Sequence, residues 1–437
     1  MREGPEIQVK DAPAASPGAA RLRKEITLRH AVSLYISSVL GSGVLVLPGL
    51  AARIAGPASL VAWGALSLAS YPFAWTFATL SARRPESGGV YAFAKESFGL
   101  PVAGVAAWLF GLWFITGGPA VTLIAASYIA YAFPMSRGES FLIAASVILT
   151  AFVVNYRGIT FSGRVQVAVV AAIVGLLLSA VMFSAGAVDA RNFVPFAPGG
   201  LLPLGTAAAL IFWSFLGYEN VSNIAEEFRD PVRDFRRSII LSVALVGCLY
   251  MAVAVVTVGT GAYRAGGSVA PFAAILSHTF GRYGAGGTAV LALFIIFGAV
   301  NAYTAGMSRV IYAAARDGAF PRLLYHLHPA TGVPDRSLVT LFSLSMITLG
   351  FYFVAGIDLQ TALLIPSGAA ILVYVIGSAS GIRLLKGDGR RTSFAWMSLL
   401  ISIVILPFVG MPALVSVVAV LAALTFIVIA GRRARNH

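Results

Sequence analysis

The residues whose types and spacing could do chemistry all interrupt apolar runs. Gly41-Ser42-Gly43 stands in the middle of the first run. Two glycines around a serine disfavour a continuous helix and free backbone amides and carbonyls. In hydrocarbon such groups are costly to leave unpaired, so they must line a cavity or meet a partner. The amides of Ser42, Gly43 and Val44 would open a second half-helix, whose N-terminal dipole suits a carboxylate. Helix packing is the other use of small residues at such a place. Gly217 in the sixth run repeats the break and favours the binding reading.

Glu219 follows Gly217 by two residues and is the one acid of 17 that interrupts an apolar run. No Lys or Arg lies in any span interior, so Glu219 has no obvious salt-bridge partner in the sequence. An intramembrane carboxyl in that position is a candidate for proton-linked gating, with Tyr218 beside it. A carboxyl bonded to backbone freed by the break is the structural alternative. Trp213 immediately precedes the second break and suits a lid over an apolar substrate. Tyr303 lies in the eighth run, whereas Trp63, Trp75 and Trp396 read as packing.

Other polar groups read as connectors. The loop Arg83 to Tyr91 is rich in Gly and Ser but lacks the spacing of a phosphate-cradling loop, and no strand precedes it. The stretch Glu226 to Arg237 mixes charges as a solvated loop does. His326 and His328 read as a solvated pair on a polar loop rather than a metal site, and the lone Cys248 sits in an apolar run. A disulfide framework and a thiolate cluster are excluded. No metal or other cofactor is called for.

These residues must be positioned by the apolar runs themselves. The chain of 437 residues is 58% hydrophobic and 11% charged. Soluble domains carry roughly 25% charged residues, so the composition describes a membrane protein and argues against a soluble enzyme. Twelve runs are visible, at 28–54, 58–81, 99–133, 140–155, 160–186, 203–225, 238–262, 284–315, 337–356, 359–383, 392–409 and 411–430. With the N-terminus inside, 26 of the 31 basic residues fall on the cytoplasmic side, leaving Arg53, Arg137, Arg191, Arg264 and Arg282 outside. This asymmetry follows the positive-inside rule and places both termini in the cytoplasm. It also accounts for the net charge of +14 without nucleic acid.

A faint internal repeat aligns Ser38 to Gly43 with Ser214 to Glu219. It also aligns Phe93-Ala94 and Phe98-Gly99 with Phe272-Ala273 and Phe280-Gly281. Two halves of five spans follow, and an odd number of spans inverts the second half. The expected organisation is a disordered cytoplasmic tail over 1–26, a first repeat over 27–190 and a second over 200–385. A last pair of spans over 390–431 and a short tail over 432–437 complete it. The fold class is all-α integral membrane: twelve helices in an inverted 5+5 repeat with two extra C-terminal helices.

On these residues the chain resembles the amino acid–polyamine–organocation transporters over about residues 27–430. The resemblance rests on Gly41-Ser42-Gly43, on Pro85, Ser87-Gly88-Gly89 and Tyr91, and on Trp213-Ser214-Phe215 with Gly217 and Glu219. Arg316-Asp317-Gly318 with Phe320-Pro321 completes it. It implies that the amides of Ser42 and Gly43, with Gly41 and Val44, hold a substrate carboxylate. It further implies that the carbonyls of Val39, Trp213 and Leu216 hold the amine, with Ser214 and Gly217 in the same segment. Glu219 matches an acid associated with proton-dependent gating in the arginine/agmatine antiporter, and Tyr303 falls where that antiporter has a tryptophan in its substrate path. The branch most similar is that of the bacterial methionine and branched-chain amino-acid exporters. Some sodium-independent relatives carry a lysine in the fifth span that replaces a sodium ion. The position here is about Ile173, which leaves the coupling ion open.

The function expected is a secondary carrier of neutral, apolar amino acids in the inner (plasma) membrane, a monomer or homodimer whose partners are substrate, membrane lipid and protons. An organic-amine or polyamine carrier is the alternative within the superfamily. A channel would favour a continuous polar stripe over paired breaks. An enzyme should cluster His, Asp or Cys in its spans, and a sensor should append a soluble domain.

Overall fold

A computed structural model describes residues 32, 36, 39–83, 89–158, 163–218, 233–264 and 266–435. Among the described residues there is no strand. The helices are α1 (Leu47–Ala55), α2 (Ser59–Arg83), α3 (Gly89–Phe98), α4 (Leu100–Ala132), α5 (Arg137–Tyr156), α6 (Gly163–Ser184) and α7 (Leu202–Ile211). They continue with α8 (Arg233–Gly259), α9 (Pro271–Arg316), α10 (Asp335–Val354), α11 (Leu359–Leu384), α12 (Gly389–Ile405) and α13 (Ala413–Arg435). Nine helical stretches among the described residues are long and apolar enough to cross a membrane, and two shorter apolar ones cover Leu202–Phe215 and Ala413–Ile429.

Helix boundaries follow local chemistry. The fourth apolar run starts at residue 140, yet α5 starts at Arg137, because Ser136 and Glu139 form a reciprocal capping box. Asp358 and Asp388 cap α11 and α12 by accepting from Thr361 N and Arg391 N. Acids thus sit at helix starts, where the dipole favours them. Inside the helices, hydroxyls such as those of Thr79, Ser81, Thr116 and Ser367 donate to the carbonyl four residues back. Small polar residues are thereby satisfied within an apolar helix.

The eighth run is longer than its hydropathy shows. Its helix begins at Pro271 and changes direction at Gly281, which has φ 53°. The same order occurs earlier, where the short helix α3 leads to Gly99 at φ 83° and then to α4. The two segments that echo each other in sequence therefore share a short helix, a left-handed glycine and a long helix.

Packing is organised around α4 and α11, the two most enclosed spans, whereas α5 and α12 are the least enclosed. One continuous apolar cluster joins residues from nearly every span. α1 packs on α7, and α2 on α8. Asn155 on α5 donates through Nδ2 to Oδ1 of Asn301 on α9 at 2.9 Å, pairing two buried amides between helices.

Candidate functional site

The first break is built by a short sequence of backbone choices. Leu40 N still bonds to Ile36 O at 2.7 Å, but Gly41 is extended, at φ −99° and ψ −166°. Ser42–Leu45 then form one buried 3-10 turn, Val46 leaves helical geometry, and α1 begins at Leu47 with Pro48 in its first turn. Proline is tolerated there because a first-turn amide has no acceptor within the helix. The half-helix expected directly after Gly41 is thus preceded by a 3-10 turn, and the amides of Ser42, Gly43 and Val44 open that turn. The second break has the same order of parts reversed. α7 tightens into a 3-10 turn at Phe212–Phe215, Leu216 is extended, and Gly217 has φ 124°. Only glycine adopts that last conformation without strain.

The two breaks lie against each other. A Cβ placed on Gly43 would stand 2.7 Å from Cδ1 of Trp213 and 3.0 Å from Oγ of Ser214. Val39, Ser42, Ser214, Leu216 and Tyr218 are buried. Gly41 and Trp213 are partly buried, and Gly43, Val44 and Gly217 are buried as well. Among the described residues the Ser214 hydroxyl has no hydrogen-bond partner. The structure therefore brings Val39, Gly41–Val44 and Trp213–Tyr218 into one region. Tyr303 on α9 is 40% exposed, while its neighbours Asn301 and Thr304 are buried. Glu219 lies outside the described residues. Ile173 is buried within the main apolar cluster.

Sequence reasoning passed over two tyrosines that bond to the breaks. Tyr250 on α8 directs its hydroxyl to Val39 O at 3.0 Å and to Ser214 O at 3.1 Å, one carbonyl from each broken segment. Tyr128 on α4 donates to Leu45 O at 2.5 Å. Both rings are fully enclosed, and Tyr250 packs edge-on against Trp63 and Phe215. Of the carbonyls expected to meet an amine, Val39 O already accepts from Tyr250, and Trp213 O accepts from Leu216 N at 3.3 Å. The signal available was a tyrosine in the middle of an apolar run, whose hydroxyl must find a partner when buried.

A separate cluster explains the other quoted motif. Asp317 accepts from Lys95 Nζ at 2.6 Å and from the Tyr91 hydroxyl at 3.0 Å. Trp108 on α4 donates to Ala319 O at 3.0 Å and stacks on Phe320 at 5.2 Å. Tyr91, Arg316-Asp317-Gly318 and Phe320 thus converge where α3 and α4 meet the end of α9. Burial alone would raise the Asp317 carboxyl, but the hydrogen bonds from Lys95 and Tyr91 and the nearby positive charges hold it below the usual carboxylate range. Burial, then the bond to Asp317, pushes the Tyr91 hydroxyl above its ordinary value.

Many apolar helices, with two of them broken at facing positions, define a multi-pass membrane protein with a polar centre. The amino acid permease family model matches residues 26–435, and the chain belongs to that family. It is 34% identical over 378 residues to an uncharacterized amino acid permease of Bacillus subtilis, YecA, covering 86% of this chain and 88% of that protein. It is 28% identical over 406 residues to the L-methionine/branched-chain amino acid exporter YjeH of Escherichia coli, covering 91% and 94%. The branched-chain amino acid permease BcaP of Bacillus subtilis is 28% identical over 346 residues, covering 75% and 74%.

Proposed function

We propose that the protein is a secondary carrier for neutral, apolar amino acids such as leucine, isoleucine, valine and methionine, and that it binds them between the two breaks. The observation that carries this reading is the contact of Gly43 with Trp213 and Ser214. That contact sets Gly43 of the first break against the Trp213 and Ser214 side chains of the second, which supports a site between the two. Amides of Ser42, Gly43 and Val44 suit the carboxylate, and carbonyls of the Val39 and Trp213–Leu216 segments suit the amine. Trp213 and the apolar residues around it suit an uncharged side chain. A cationic side chain would call for carboxylates, and only Glu219 is available for that. The names of two relatives, a methionine/branched-chain exporter and a branched-chain permease, support the same substrate class.

The architecture that goes with this reading is twelve spans with both termini cytoplasmic, in the inner membrane. Its first ten spans form two inverted halves. The matching order of short helix, left-handed glycine and long helix at Gly99 and Gly281 supports the repeat. Alternating access then moves the halves about the breaks, and Glu219 supplies proton-linked gating. Counterflow tests the reading. Proteoliposomes preloaded with unlabelled leucine or methionine should accumulate the radiolabelled amino acid transiently, and arginine or putrescine should not compete. Absence of counterflow, or competition by a polyamine stronger than by leucine, overturns it.

A further inference from the structure

Gly117 sits inside the long helix α4, where glycine costs about 1 kcal/mol relative to alanine. Its site demands the absence of a side chain. A Cβ there would stand 2.7 Å from Cη2 of Trp213, 3.4 Å from Pro366 Cβ and 3.4 Å from Trp113 Cδ1. The next residue, Gly118, has nothing within 4 Å of an added Cβ. The far edge of the Trp213 indole therefore occupies a crevice between α4 and α11, with Pro366 on the α11 side. The edge of Trp113 meets the indole at 6.0 Å between centroids and 80° between planes. The near edge of the same indole rests on Gly43. Two glycines, one in the first break and one in α4, thus fix both edges of the ring of Trp213 in the second break.

We infer that Gly117 is a specificity-determining residue: it seats the Trp213 indole in the α4/α11 crevice and so sets how large an apolar side chain the carrier accepts. This rests on the transport reading above. A methyl group at position 117 fills the crevice and drives the ring back toward the breaks, into the volume a large substrate side chain needs. Small side chains lose little from the same displacement.

The test compares counterflow of alanine, valine, leucine, methionine and phenylalanine by wild type, Gly117→Ala, Gly118→Ala and the double variant Gly117→Ala/Trp213→Phe. Gly117→Ala should lower leucine, methionine and phenylalanine by about tenfold or more relative to alanine, within the range a few methylenes command in an apolar pocket. Gly118→Ala should keep the wild-type order. The double variant should recover leucine and methionine, because phenylalanine lacks the second ring. Thermal unfolding in detergent reads the seat without transport: Gly117→Ala should lower the midpoint, and Trp213→Phe should recover it in that background. An unchanged substrate order in Gly117→Ala, an equal loss for all five substrates, or a double variant that recovers neither selectivity nor midpoint overturns the inference. A wild type that carries none of the five sinks the transport reading, and the selectivity with it, even where the unfolding cycle holds.

Discussion

The hydroxyl of Tyr250 has one proton and two carbonyl neighbours, Val39 O and Ser214 O, on two different broken segments. Replacing it by phenylalanine removes that proton; Val39 O still accepts from Gly41 N at 2.7 Å, so the loss falls chiefly on Ser214 O, at a cost of about 1–3 kcal/mol. Tyr250→Phe should therefore unfold at a lower temperature than wild type, and a circular-dichroism melt in detergent checks it. An equal midpoint would mean the bonds contribute nothing net. Glu219→Gln addresses a different property. If the carboxyl gates the carrier, the glutamine variant keeps substrate binding and transports with a flattened pH dependence between pH 5 and 8. An unchanged profile in proteoliposomes would make Glu219 structural. At this scale the sequence exposed the glycines and the lone acid, because both are anomalies in an apolar run. It concealed Tyr128, Tyr250 and Gly117. An aromatic or a glycine in a span reads as packing until the group it meets is known, and those groups lie on other helices.

At the scale of elements, the breaks are backbone conformations that particular residues permit. Gly217 at φ 124° tolerates no side chain without strain, so Gly217→Ala should destabilise the protein by about 1–3 kcal/mol, read as a shift in the thermal midpoint. The junction of α3 with the end of α9 depends on an ionised Asp317. Its carboxyl is held below the usual range, so its contribution is present above about pH 4 and fades as pH falls through the lowered folded value. Asp317→Asn should thus be less stable than wild type at pH 7, and the gap should narrow below pH 4. A gap that stays constant with pH would mean the charge is not what matters. Span positions were legible from hydropathy within a few residues, as α2, α4 and α11 show. The early start of α9 was not, because polar residues around His278 and Arg282 interrupt its apolar pattern at the bend. The 3-10 turn after Gly41 was hidden too, since Ser42, Gly43, Val44 and Leu45 carry no composition signal that separates it from the α-helix that follows.

At the scale of the whole molecule, the proposed orientation is open to direct labelling. Cys248 is the only cysteine, so a Cys248→Ser background accepts single reporters. Asn436→Cys should react with a membrane-impermeant maleimide only after the membrane is opened, and Ala187→Cys should react in intact cells. The reverse pattern overturns the orientation. The charge asymmetry that motivates this is legible in the sequence alone, because it depends on loop positions and not on packing. What the sequence could not show is which helix ties distant parts together. α4 has 33 residues, about 50 Å of helix against a hydrocarbon core of about 30 Å, so it must run obliquely or project from the bilayer. Along it, Trp108 grips Ala319 and Phe320 at one place, and Gly117 receives the Trp213 indole nine residues further on, about 14 Å along the axis. No proline interrupts the stretch between them. That stretch, ahead of Pro119 in the same helix, is therefore one rod with two handles, and a rotation about its own axis or a change in its slope is registered at both at once.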